Sequence, residues 1–438
     1  MLLAALLPCC VSAADIGVAS HEAGLRMGFT ADVFHASCWT TPFPKTPSNP
    51  TGRACLPYGP PEQPAWDCLR IPSVVQLGPD SPTLVAVAEA TNGSAKTAHY
   101  TQTIGLKRST DGGRSWPRTV TVLAPPCTKP AAGCSYENPN PIYDAHTATL
   151  HVIFKHRDSC PNPGACARFM AVRSTDEGRT FSAPAVLSPD AFGVLHKNGL
   201  CGPAGGLQLG NSSAKPGRLL LCCNVDGEQP PFPNDPHSGG SLSVFSDDHG
   251  QTWQRGELSG GGNPYHLGEC QFAEVPTVDG RGPSTPTLAM TARPQYDLTP
   301  GYPLQPRDHT ISLSTTSGHS FGAPEPQAAL PMEMRGIEGS LLSVPGYGLV
   351  QALVWAGSAL NESDIGAPRQ NLTLRRSTDS GRTWALAANV WGGGAGYNSM
   401  TMLSQNSFGV LFEKGRQLPV GPGAAYYQTV SLATFSWG

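Results

Sequence analysis

Apolar and polar positions alternate in short runs along most of the chain, as in IGLKRS ending at Ser109, FMAVRS at Ser174, LSVFS at Ser246, ISLS at Ser314 and LTLRRS at Ser377. A period of two residues is the signature of strands with one face toward a core. Each run leads into the same punctuation. Ser109, Asp111, Gly113, Ser115 and Trp116 are echoed by Ser174, Asp176, Gly178, Thr180 and Phe181, by Ser246, Asp248, Gly250, Thr252 and Trp253, and by Ser377, Asp379, Gly381, Thr383 and Trp384. A degenerate copy (Ser314, Thr316, Gly318, Ser320, Phe321) lacks the Asp. Asp accepts backbone N–H bonds in a tight turn and Gly supplies positive φ, so each box reads as a hairpin turn whose closing aromatic packs between sheets. These Asp residues are therefore structural candidates, not catalytic ones.

The copies start 65, 72, 68 and 63 residues apart, a mean of 67. Repetition on this scale comes from stacked or radially arranged units. Small sheets set around an axis protect their edges, which is the logic of a β-propeller. About 424 residues after a leader divide into about 6.3 such units, so the expectation is all-β, a six-bladed β-propeller in one domain over 15–438. The alternating TVSLATFSW at 429–437 suits a last strand that closes the ring against the N-terminal segment. Pro-rich stretches at 42–64 and 226–240 read as surface excursions.

Composition agrees with this and narrows the function. Gly (50) and Pro (43) would break a coiled coil or helical solenoid. The 39% hydrophobic content argues against disorder. A net charge of −3 offers no basic footprint for nucleic acid. No run reaches the 18 or so apolar residues of a membrane span.

Residues 1–14 (MLLAALLPCCVSAA) pair an apolar run with small residues at Val11-Ser12-Ala13, and read as a signal peptide despite lacking a basic start. Glycosylation sequons at Asn92, Asn211, Asn361 and Asn371 agree with a secreted or secretory-pathway glycoprotein. Eleven cysteines would remain after cleavage. Cys127/Cys134 and Cys160/Cys166 sit in short loops suited to local disulfides, with Cys55/Cys68 a looser third pair. No zinc spacing occurs. His146, His151 and His156 lie five apart on a strand-like run, so neighbours point to opposite faces and are read as non-ligands.

Ordered motifs accompany the boxes: Arg70-Ile71-Pro72, Ala88-Glu89, Asn138-Pro139-Asn140-Pro141-Ile142-Tyr143-Asp144, Gly206-Leu207-Gln208-Leu209, Glu269-Cys270-Gln271, Arg293, Arg369, Tyr397 and Glu413. From about residue 68 to 438 the chain resembles the exo-α-sialidase (neuraminidase) superfamily. The resemblance implies a retaining glycoside hydrolase that releases terminal sialic acid, or a related 2-keto-3-deoxy nonulosonic acid, from glycoconjugates, with no cofactor or metal. It implies that Arg70, Arg293 and Arg369 clamp the substrate carboxylate, that Glu413 orients Arg70, and that Tyr397 is the nucleophile with Glu269 as its base. Glu89, Asn138, Gln271 and His99 are further pocket candidates. The chemistry is coherent. Guanidiniums present a planar fork matched to a carboxylate, and a tyrosine nucleophile avoids setting an enzyme carboxylate against the substrate's own. A monomer acting on a sialylated glycan is expected.

One departure stands out. The superfamily carries an Arg and then an acid/base Asp after the Ala-Glu pair. Here Thr91 takes the place of the Arg, and no Asp occurs between Glu89 and Asp111. Alignment back from LKRS sets the missing Asp at Ala98, beside His99, whose imidazole suits proton donation. The alternative reading is a catalytically impaired propeller that binds sialosides as a lectin. The retained pocket set argues against a purely structural box module.

Overall fold

The computed structural model describes residues 24–35, 66, 68–79, 81–91, 102–127, 134–157, 167–225, 240–259, 267–294, 308–331, 337–356, 369–415 and 429–437. Strand β1 (Leu25–Phe34) pairs with the last strand of the chain. Strands β2 (Cys68–Gln76), β3 (Leu84–Thr91), β4 (Thr103–Ser109) and β5 (Thr121–Val122) form a first four-stranded sheet. Strands β6 (Ser135–Asp144), β7 (Thr149–Arg157), β8 (Ala167–Ser174) and β9 (Ala185–Val186) form a second. Helix α1 (Pro189–Asn198) follows; Ser188 caps it by accepting the Asp190 N–H, and Pro189 fits its first turn.

The third sheet has five strands, β10 (Gly199–Cys201), β11 (Leu207–Gln208), β12 (Leu219–Val225), β13 (Gly240–Ser246) and β14 (Gln254–Arg255). The fourth comprises β15 (Leu267–Glu274), β16 (Leu288–Pro294), β17 (Asp308–Ser314) and β18 (Glu325–Pro331). The remaining strands are β19 (Leu341–Val344), β20 (Gly348–Ala356), β21 (Arg369–Ser377), β22 (Ala385–Ser404), β23 (Ser407–Lys414) and β24 (Thr429–Trp437).

The expected six blades are not what forms. The described strands make a four-bladed β-propeller of four- and five-stranded sheets, its ring completed by one seven-stranded sheet in the order β1-β24-β23-β22-β21-β20-β19. The cause lies in β22, which runs 20 residues without a break. It pairs with β21 from Ala385 to Gly394 and with β23 from Ala395 to Ser404. Box spacing counts hairpins and is blind to a strand that changes partners. The glycines at 392, 393, 394 and 396 allow the bend without losing the ladder. The sheet folds on itself, so Val350 and Leu374 of one half pack with Val410 and Phe435 of the other.

The boxes carry the ring. In the first, Ser109 Oγ donates to Asp111 Oδ1 (2.7 Å) and accepts from the Gly113 N–H (3.0 Å), while the Ser115 N–H donates to Asp111 Oδ1 (3.0 Å). Burial opposes ionisation of Asp111, but the hydrogen bonds from Ser115 and Ser109 outweigh it and hold the carboxyl at about 2. Each box glycine is wedged against the preceding sheet. A Cβ on Gly113 would meet Leu432 at 2.4 Å, and those on Gly178, Gly250, Gly318 and Gly381 would meet Val85, His151, Leu220 and Ile311.

Apolar residues fill the spaces between sheets because successive strand residues point to opposite faces. Leu84 and Ala86 of β3 pack with Leu411 and Leu432, whereas Val85 and Val87 pack with Leu150 and Val152 of the second sheet. At the centre, Ser399 accepts the Val74 N–H (3.1 Å) and donates to Ala204 O (3.0 Å), and the Ala204 N–H reaches Ser73 (3.0 Å). These bonds tie three sheets together beneath the candidate site.

Cys127–Cys134 is a disulfide, as the loop spacing suggests. Two more, Cys201–Cys223 and Cys222–Cys270, use opposite faces of β12 to reach β10 and β15. Cys68 is also disulfide-bonded. This cysteine usage is consistent with an oxidising compartment. Cys55, Cys160, Cys166 and the signal-peptide segment lie outside the described residues. Among the described residues, no helix is long and apolar enough to cross a membrane.

Candidate active site

Strand β2 carries a register shift between Arg70 and Ser73, and Ile71 takes φ 52°, a strained value for a β-branched residue. Glu413, fully buried on the neighbouring sheet, holds this bulge. Its Oε1 accepts from Arg70 Nε (3.0 Å) and from the Ile71 N–H (3.0 Å), and its Oε2 accepts the Tyr397 N–H (3.1 Å). One carboxylate therefore fixes the aim of Arg70 and the backbone of Tyr397 together.

Tyr397 lies on the second half of β22, and Glu269 on β15 beside a bulge. The Tyr397 hydroxyl donates to Glu269 Oε1 at 2.6 Å. Glu269 Oε2 accepts from Arg293 Nη1 (2.7 Å) and from the Glu338 N–H (3.2 Å). The Arg70 and Arg369 guanidinium carbons lie 5.9 and 5.7 Å from the Tyr397 ring centroid. The structure thus gathers Arg70, Glu269, Arg293, Arg369, Tyr397 and Glu413, residues spread over 344 positions, into one cluster around Tyr397. Charged groups converging in a partly buried cluster with shifted ionisation make a candidate functional site.

The electrostatics favour a neutral phenol at rest. Burial and then the Glu269 charge raise the Tyr397 pKa well above 10, against the lowering effect of Arg293 and Arg369. Burial works against the charge on Arg293, but Glu269 overrides it, so that guanidinium stays charged.

The other candidates brace the pocket. Glu89 accepts the Asn138 N–H (2.8 Å), and Asn138 Nδ2 donates to Cys201 O (3.3 Å). Gln271 accepts the Leu341 N–H (3.0 Å) and donates to Pro203 O (3.4 Å). Thr91 ends β3 opposite Cys68. His99 lies outside the described residues.

Two buried groups beside the site were not singled out from sequence. Glu338 is fully buried with no ion-pair partner at its carboxyl among the described residues, and burial followed by the Glu269 charge drives its pKa far up, against the weaker lowering effect of the Asn398 backbone. His309 is held neutral, at about 3, by burial and the Arg293 charge. Neither sits in a motif with a recognisable spacing, so only the fold reveals them. Among the described residues two groups of side chains have metal-ligand geometry, and neither includes a residue of this site.

The BNR repeat-like domain family matches residues 83–410, three quarters of the chain. The chain belongs to the BNR-repeat sialidase superfamily. Among curated relatives, a sialidase of Micromonospora viridifaciens is 26% identical over 70% of this chain and 44% of that protein. Human sialidase-4 is 31% identical over 63% of this chain and 54% of its own length. The chain thus spans about half the length of these superfamily members. A Hadza microbial sialidase, Hz136, superposes with a TM-score of 0.58 at 19% identity, covering 83% of this chain and 65% of that one. A leech intramolecular trans-sialidase gives 0.59 at 14%, covering 84% and 68%. At such identities the superpositions speak for the fold.

Proposed function

We propose that this protein is a retaining exo-glycosidase that releases a terminal sialic acid, or a related 2-keto-3-deoxy nonulosonic acid, with Tyr397 as nucleophile. The observation that carries this reading is the 2.6 Å hydrogen bond from Tyr397 to a Glu269 carboxylate that Arg293 steadies from its other oxygen.

In this reading Arg70, Arg293 and Arg369 bind the substrate carboxylate, and their combined charge suits an anion attached to the anomeric carbon. Tyr397 Oη forms a bond to that carbon while its proton passes to Glu269 Oε1 and the glycosidic C–O bond breaks. A nucleophile that is neutral at rest needs such a partner, because a free phenol ionises near 10. The leaving oxygen takes a proton from a donor in the sequence between Glu89 and Asp111, where His99 is the candidate. Water then attacks the anomeric carbon and gives up a proton to the group that protonated the leaving oxygen; the bond from that carbon to Tyr397 Oη breaks, Glu269 returns its proton to Tyr397, and the sugar leaves with retained configuration.

A sialoside-binding lectin is the second reading. It is favoured by the absence of any Asp between Glu89 and Asp111, since a general acid contributes about 10²–10⁴-fold.

Turnover of an aryl sialoside, whose leaving group needs little protonation, should be compared with that of a sialyl-galactoside, with Tyr397→Phe as background. Cleavage of the aryl substrate that depends on Tyr397 is expected. The ratio of the two rates reports how well another group replaces the missing acid. Folded protein that binds sialoside and cleaves neither substrate would move the assignment to the lectin.

A further inference from the structure

The boxes do more than turn the chain at one seam. Asp144 ends β6, and its buried carboxylate is aimed at two exposed imidazoles. His146 follows in the turn toward β7. His249 comes from the box between β13 and β14, at the position where the chain takes φ 60°. Its Nδ1 lies 2.8 Å from Asp144 Oδ2. The ligand atoms of the three residues all lie within 4.8 Å of one another, and the two rings are 6.0 Å apart.

The surroundings are arranged for this cluster. Asp144 Oδ1 accepts the His146 N–H (3.0 Å) and Gln208 Nε2 (2.6 Å), and Oδ2 accepts Thr147 Oγ1 (2.7 Å). Bonds of this kind fix the orientation of ligating carboxylates. Gly217 makes room for the His146 ring, since a Cβ there would lie 2.7 Å from its Cε1. Bonds of about 2.0 Å to a tetrahedral zinc set neighbouring ligand atoms about 3.3 Å apart, so the Asp144–His249 edge needs little adjustment.

We propose that Asp144, His146 and His249 form a binding site for a divalent transition metal, Zn²⁺ being the best fit to two imidazoles and one carboxylate with water in the fourth place. The ion takes the position of the proton shared between His249 and Asp144 and clamps the second sheet to the third. Reading His146, His151 and His156 as one strand-borne set misses this, because the partner of His146 stands 103 residues downstream in another sheet. The other metal-like cluster, Cys127, Cys134 and His156, has both sulfurs committed to a disulfide.

The test is titration of tag-free protein with Co²⁺, read by its visible absorption, and with Zn²⁺, read by calorimetry. The variants are His146→Ala and His249→Asn, asparagine being tolerant of positive φ. One equivalent should bind, and each variant should bind at least about tenfold more weakly. Zn²⁺ at a hundredfold over Kd should raise the wild-type melting temperature by about 3 °C. A wild type that takes up no equivalent of either ion overturns the proposal, as does binding unchanged in both variants. Glycoside turnover is not a readout here, so the result is separate from the fate of the Tyr397 assignment.

Discussion

Glu413→Gln removes a charge while keeping the shape of a side chain that accepts from three residues at once, Arg70, Ile71 and Tyr397. Glu413 is fully buried, whereas the Arg70 side chain is 14% exposed and can recover some solvation from the pocket. Breaking a buried ion pair costs about 3–5 kcal/mol, and that solvation brings the expectation for this variant to about 2–3 kcal/mol. The amide NH₂ must also face a donor, either the Ile71 N–H or the Tyr397 N–H, so one of those hydrogen bonds is lost as well. With Ile71 already at φ 52°, a bulge losing its tether should relax toward an ordinary β conformation and swing Arg70 out of aim. Unfolding in urea should show a loss of about 2–3 kcal/mol, and the KM for an aryl sialoside should rise about 10–100-fold, equivalent to about 1.4–2.8 kcal/mol of lost binding. A variant within 0.5 kcal/mol of wild type, a change usual for surface sites, and with KM unchanged would refute the reasoning that Glu413 holds the bulge and Arg70 together.

Glu338 gives a prediction with a definite sign. Its folded pKa is raised by burial and by Glu269, so above its ordinary 4.5 the unfolded chain sheds this proton while the folded chain keeps it. That difference erodes wild-type stability as pH rises from 4.5 toward the folded pKa. The melting temperature of Glu338→Gln should therefore gain on wild type between pH 4 and pH 7, and a constant difference across that range would contradict the assignment. Gly113→Ala should destabilise the protein by about 2–4 kcal/mol in denaturant melts, because the new Cβ would meet Leu432 at 2.4 Å and the residue holds φ 84°. A neutral result there would mean that the ring seam is loosely packed.

The boxes and the strands before them were legible because hairpin turns and period-two patterns are local: five residues of Ser109–Trp116 suffice to encode one turn. The number of sheets was not. It depends on β22 keeping its ladder through the glycines from 392 to 396, a choice made by β21 and β23 on either side. The residues that meet around Tyr397 belong to ordered motifs visible in the sequence, whereas Glu338 and His309 draw notice only because the fold sets them beside Glu269 and Arg293. Adjacent Cys222 and Cys223 could have been read as reaching opposite faces of one strand, yet their partners Cys270 and Cys201 depend on the sheet order.

The central claim is that Tyr397 attacks the anomeric carbon, and covalent capture tests it most directly. Incubation with a 2,3-difluorinated sialic acid, followed by intact-mass and peptide mass spectrometry, should give one glycosyl adduct located on Tyr397 and none on Tyr397→Phe. Wild-type protein that binds the sugar but carries no adduct, or carries it on another residue, would contradict the account.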